Sequence, residues 1–154
     1  MIVELGHFAL ILALVAAVIQ GSLPMIGAAH GDAAWMALAR PAAMAQLILL
    51  TFSFLALTHA YVTSDFSVAN VVANSHSAKP LLYKISGVWG NHEGSMLLWI
   101  LILAAFGSAV AVFGGNLPPT LRARALAVQA WIAIGFMTFT LFTSNPFMRI
   151  FPAP

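Results

Sequence analysis

The residues best equipped for chemistry in this chain lie between Tyr83 and Trp99, in the run YKISGVWGNHEGSMLLW. Trp89, Gly90, Asn91, His92, Glu93, Gly94 and Ser95 bring together an indole, an amide, an imidazole, a carboxylate and a hydroxyl. The set has two readings. As a plain helix entry, Asn91 or Ser95 caps the first turn, Glu93 favours the positive end of the helix dipole, and the glycines permit the turn. As a site, it is a polar and aromatic platform at a membrane surface that touches a ligand or partner. A zinc helix is excluded, because His-Glu-x-x-His needs a second imidazole where this chain has Met96. His92 and Met96, one turn apart, could approach one metal, but methionine there is ordinarily helix surface.

The other histidines are weaker candidates. His7 and His59 fall near the ends of apolar stretches, where metal or haem ligation competes with a neutral imidazole resting at the interface. His30 and His76 read as solvated. No two histidines have a spacing that compels a shared metal, so no metal site is assigned. Cysteine is absent, which removes disulfides, thiolate metal sites and any Cys-x-x-Cys-His haem attachment. The chain is therefore not itself a c-type cytochrome.

What must position these groups is a set of membrane spans. Leu5–Ile26, Ala42–Val62, Ser95–Phe113 and Ala125–Thr143 are apolar and free of Asp, Glu, Lys and Arg. Crossing the hydrocarbon takes roughly 20 apolar residues in a helix. One central charge costs about 2.5–3.5 kcal/mol on insertion scales, so four clean windows are not chance. Charged residues are 6% of the chain, against about 25% in soluble domains. The expected fold is all-α, a single polytopic bundle over residues 1–154. The first span is read as an uncleaved helix, because Met1-Ile2-Val3-Glu4 lacks the basic n-region of a signal peptide. The six basic residues are dispersed, which excludes a nucleic-acid partner and leaves membrane lipid as the surrounding medium.

Helix 1 is expected to end around Ser22-Leu23-Pro24 and Gly27, with a short link through His30, Gly31 and Asp32 to Arg40-Pro41. Pro41 suits a first turn, where its missing N–H would be unpaired anyway. Tyr61 reads as an interfacial anchor, and Gly114 to Pro119 as a tight turn before a helix that follows Arg122 and Arg124. The segment 64–94 stands apart. At about 31 residues it far exceeds the roughly 2–8 of ordinary helix–helix links. In it Val68, Val71 and Val72 suggest a short helix on the membrane surface, with Tyr83 and Trp89 as anchors. Arg40, Arg122 and Arg124 flank helix ends closely on one side. Lys79 and Lys84 sit farther from theirs on the other side, which also carries Arg149. The positive-inside rule then puts the short links in the cytoplasm and the long loop and both termini outside. Ala9, Ala13, Ala17 and Gly21 form a small-residue stripe on helix 1, and Gly107 with Ala111 a shorter one. Gln20 and the Ser and Thr residues of helices 2 and 4 offer interhelical hydrogen bonds.

The long loop also carries a resemblance. Val71-Val72-Ala73-Asn74-Ser75-His76-Ser77, Lys79-Pro80-Leu81-Leu82-Tyr83-Lys84, Trp89 through Ser95, and Thr143-Ser144-Asn145-Pro146-Phe147 resemble the N-terminal part of the CcmF family of cytochrome c-type biogenesis proteins. The W-G-x-H-E-G-S run with its following Leu-Leu-Trp is the most specific part, and related haem-handling membrane proteins share versions of it. The resemblance implies the membrane haem lyase of cytochrome c maturation, which joins the vinyl groups of haem to the two thiols of an apocytochrome. It also implies partners: the remaining part of the lyase, a haem carrier protein, apocytochrome c and other maturation subunits. Haem is expected in the full assembly and not on this chain alone. The family's tryptophan-rich segment and its haem-ligating histidines have no counterpart up to Pro154, so no haem ligand and no catalytic residue is carried over. By itself the chain is not expected to be a competent lyase. It is read as either a piece of a longer lyase or one part of a split one, in a bacterial inner membrane. The rival reading is a small independent transport or energy-coupling subunit, which should place ionisable groups at mid-membrane. A plain structural subunit without a ligand is the third.

Overall fold

The computed structural model describes residues 2–31, 33–64, 68, 71, 80–88, 92–114, 116, 118–142 and 145–147. They form helices α1 (Ile2–His30), α2 (Ala33–Met36), α3 (Ala39–Val62), α4 (Leu81–Gly87), α5 (His92–Phe113) and α6 (Pro119–Phe142). Four of these, α1, α3, α5 and α6, are long and apolar enough to cross a membrane. With no water to satisfy backbone amides there, a helix is the form such segments must take.

The four long helices pack in a ring, α1 between α3 and α6, and α5 closing it on the far side. Residue pairings give the direction of each helix. Gly6 faces Ala56 and Phe147, whereas Gln20 meets Gln46 and Gln129. Thus α1 runs antiparallel to both α3 and α6. One end of the bundle carries the starts of α1 and α5, the end of α3 and the 145–147 turn. The other carries His30, α2, Arg40, Asn116 and Arg122.

Small residues decide which faces meet. Ala9, Ala13, Ala17 and Gly21 are all buried, as are Gly107 and Ala111. The large side chains point the other way: Phe8, Ile48, Leu55, Phe106 and Phe142 are exposed. A soluble bundle would bury these residues, and a bundle in lipid gains by close backbone approach through small ones.

Two expectations need correction. Helix 1 does not end at Pro24; α1 continues through it to His30 and closes at Gly31, whose φ of 69° is the left-handed conformation glycine adopts without strain. Proline deprives the helix of one amide donor, and neighbouring helices re-satisfy the backbone in membranes. The carbonyl that Pro24 leaves without its helical donor is that of Gln20; one residue on, the Trp131 indole N–H of α6 donates to the Gly21 carbonyl at 2.9 Å and ties α6 to this turn. Likewise α6 does not follow the two arginines but begins at Pro119, placing Arg122 and Arg124 in its first turns. Proline at a helix start costs no hydrogen bond.

Candidate functional site

The loop-bearing end carries the start of α5. His92 and Glu93 open α5, Gly94 behind them is buried and Ser95 half-buried. Trp89, Gly90 and Asn91 lie outside the described residues, as do Val72 and His76. Tyr61 is not an interfacial anchor: it is fully buried, packed in one core with Val68, Val71 and Val88. Those valines therefore face protein, not lipid. A further short helix, α4, packs against α3, with Leu81, Leu82 and Tyr83 58%, 73% and 58% exposed. The turn leaving α3 holds Ser64 at φ 54°, a conformation unfavourable for any residue but glycine.

His7 belongs to this end too. The Asn145 side-chain amide donates to its Nε2 at 3.3 Å, and the imidazole stacks on Phe147 with centroids 6.2 Å apart. Asn145 in turn accepts from the Phe147 backbone N–H through Oδ1 at 2.8 Å. A Cβ on Gly6 would stand 2.6 Å from Ala56 Cβ and 3.0 Å from the Phe147 ring, so only glycine lets α3 and this turn close on α1. His7 is thus half-buried and held, whereas His59 lies exposed on the outer face of α3. Among the described residues no three His, Asp or Glu side chains gather as a metal site would require.

Deeper in the bundle is a polar feature that sequence reading identified only at Gln20. Gln20 Nε2 donates to Gln129 Oε1 at 2.7 Å and to the Leu126 carbonyl at 2.6 Å. Gln46 donates through Nε2 to Gln20 Oε1, and Gln129 Nε2 reaches the Leu103 carbonyl at 3.1 Å. Ser108 on α5 adds a bond to the Ala43 carbonyl of α3 at 3.0 Å. All four spans are joined by side-chain amides and one hydroxyl. The signal was present, since Gln46 and Gln129 are the amides within otherwise apolar windows of their helices.

On the outside of α5 and α6, Met96, Trp99, Leu103, Phe106, Ile132 and Phe136 line an apolar groove of about 480 Å³. It holds no titratable group and offers contact to lipid tails or to another apolar helix.

Comparison with known proteins matches this arrangement. No family model matches the chain. It is 64% identical over all 154 residues to the cytochrome c-type biogenesis protein CycK of Rhizobium meliloti, covering 23% of that protein. To the cytochrome c-type biogenesis protein CcmF of Pseudomonas aeruginosa it is 55% identical over 152 residues, 99% of this chain and 23% of the relative. A solved structure titled cytochrome c heme lyase CcmF superposes with a TM-score of 0.90 at 27% identity, covering 96% of this chain and 25% of that one. The chain spans about a quarter of the length of the curated relatives it matches. Over its whole length, this chain is a homologue of the N-terminal part of the CcmF and CycK cytochrome c-type biogenesis proteins.

Proposed function

We propose that the chain is the N-terminal membrane portion of a cytochrome c maturation haem lyase, where it scaffolds haem transfer to apocytochrome c and covalent attachment. The observation that carries this reading is the end-to-end likeness to a heme lyase at a TM-score of 0.90. Haem is the cargo of the full assembly in this reading. In this reading the chain's contribution is positional. The bundle supports the loop-bearing end, and the platform of Trp89, Gly90, Asn91, His92, Glu93, Gly94 and Ser95 shapes the surface beside the haem and apocytochrome site. Partners are the remaining part of the lyase, a haem carrier protein, apocytochrome c and other maturation subunits.

The membrane is a bacterial inner membrane, with segment 64–94 and both termini in the periplasm. Arg40, Arg122 and Arg124 on the opposite end support that orientation. The independent transport subunit is the poorer reading, because the buried polar groups at mid-bundle among the described residues are glutamine, serine and threonine, which do not titrate.

The test replaces His92 and Glu93 by Ala in the complete lyase and follows haem-stained c-type cytochromes together with the level of the lyase itself. Loss of cytochromes at normal protein level supports the platform. Unchanged maturation at unchanged level refutes it.

A further inference from the structure

The end opposite the loop carries a cavity that the scaffold reading does not use. Its volume is about 220 Å³, several times the roughly 30 Å³ that one water occupies in the liquid. Arg40 at the start of α3 and Arg122 in the first turn of α6 line it, over a floor of Ala39, Ala111, Ala123 and Leu126. The floor is nearly inaccessible to solvent, and Ala39, Ala111 and Leu126 form a small core with Ala43. The Arg122 stem passes Gly114, where a Cβ would stand 3.5 Å from its Cδ. Two arginines from different helices therefore line one recess at the rim of the bundle.

Nothing among the described residues neutralises them. Of the four acidic residues, Glu4, Asp65 and Glu93 belong by sequence to the opposite end, and Asp32 in the α1–α2 link lies outside the described residues. Arginine presents a planar fork that pairs with two oxygens of a phosphate at once. The start of α6 adds the positive end of a 24-residue helix. Trp35 of α2 and Leu38 just before α3, on the same end of the bundle, are exposed, as residues resting at a lipid headgroup level are.

We propose that the Arg40–Arg122 cavity binds a phosphate-bearing anion, either the headgroup of an acidic phospholipid or free phosphate. Basic recesses between membrane helices are suited to acidic headgroups, and the apolar rim of α2 leaves the acyl chains in the bilayer.

The experiment uses the full chain purified in detergent and supplied with phosphatidylglycerol, phosphatidylcholine or inorganic phosphate. Native mass spectrometry counts retained lipid, and the thermal midpoint reports stabilisation. Phosphatidylglycerol is expected to be retained about tenfold over phosphatidylcholine, a preference lost in the Arg40→Gln/Arg122→Gln pair. Arg124→Gln, which removes a charge outside the cavity, is expected to keep it. Stabilisation by phosphatidylglycerol alone assigns a headgroup, and stabilisation by inorganic phosphate as well assigns the free anion. The proposal is overturned if neither acts on the unmodified chain, if the pair variant keeps the preference, or if Arg124→Gln loses as much. Should the pair variant fail to fold, each single variant is measured, and an unchanged preference in both overturns it equally.

Discussion

Gln20 on α1 donates to Gln129 on α6 at 2.7 Å, across 109 residues of sequence. The bond is central because Gln46 donates to the same Gln20 side chain and Gln129 passes on to the Leu103 carbonyl. An amide alone in hydrocarbon is costly, and three bonded in a chain, with only Gln46 Oε1 among their oxygens left without a partner, fix the mutual rotation of the helices that carry them.

Replacing Gln20 with Leu removes the hub and strands two partners. Interhelical hydrogen bonds in membranes average about 0.6 kcal/mol, while a buried unsatisfied polar group costs about 1–3 kcal/mol. Gln20→Leu should therefore destabilise by about 2 kcal/mol in a detergent unfolding titration. Gln20→Leu/Gln129→Leu should cost less than the two single changes added together. Strict additivity would show that the two amides do not interact.

Gly107 and Gly135 make opposite predictions for one substitution. A Cβ at Gly107 would lie 2.9 Å from the Gln129 amide carbon, whereas one at Gly135 meets nothing within 4 Å. Gly107→Ala should lose about 1–3 kcal/mol through overpacking. Gly135→Ala should be neutral or gain up to about 1 kcal/mol from helix propensity. Melting midpoints of the two variants in one detergent decide it.

The turn at Asn145 should loosen when its amide is removed. Asn145→Ala deletes one bond to His7 and one to the Phe147 N–H. A loss of about 1–2 kcal/mol is expected, with faster amide exchange at Phe147 while the middle of α1 stays protected. Gly6→Ala should act more strongly on the same region, because the obstacle at 2.6 Å is the Ala56 Cβ of α3.

Absence of cysteine makes orientation directly measurable, since each introduced thiol is unique. Leu82→Cys on exposed α4 should react with an impermeant maleimide in cells whose outer membrane alone is opened. Asn116→Cys, exposed between α5 and α6, should react only once the inner membrane is broken. The reverse pattern would invert the proposed topology.

Four apolar windows, an extended segment between the second and third, and three arginines close to one set of helix ends were legible along the chain. Insertion into hydrocarbon depends on summed side-chain transfer energies over a window, and such a sum needs no tertiary knowledge. The choice of inward face does need it. These helices are apolar on every side, so no contrast of polar and apolar faces marks which residues turn together. For the same reason Tyr61 and Val68 read as interfacial until their burial placed them in the core. Pro24 read as a helix end, yet α1 runs through it to His30, held there by packing against its neighbours. The alanine stripe of α1 foreshadowed close packing, but only the register of α6 against α1 set Gln129 opposite Gln20. Partners more than a hundred residues apart are selected by helix rotation and register, which packing decides.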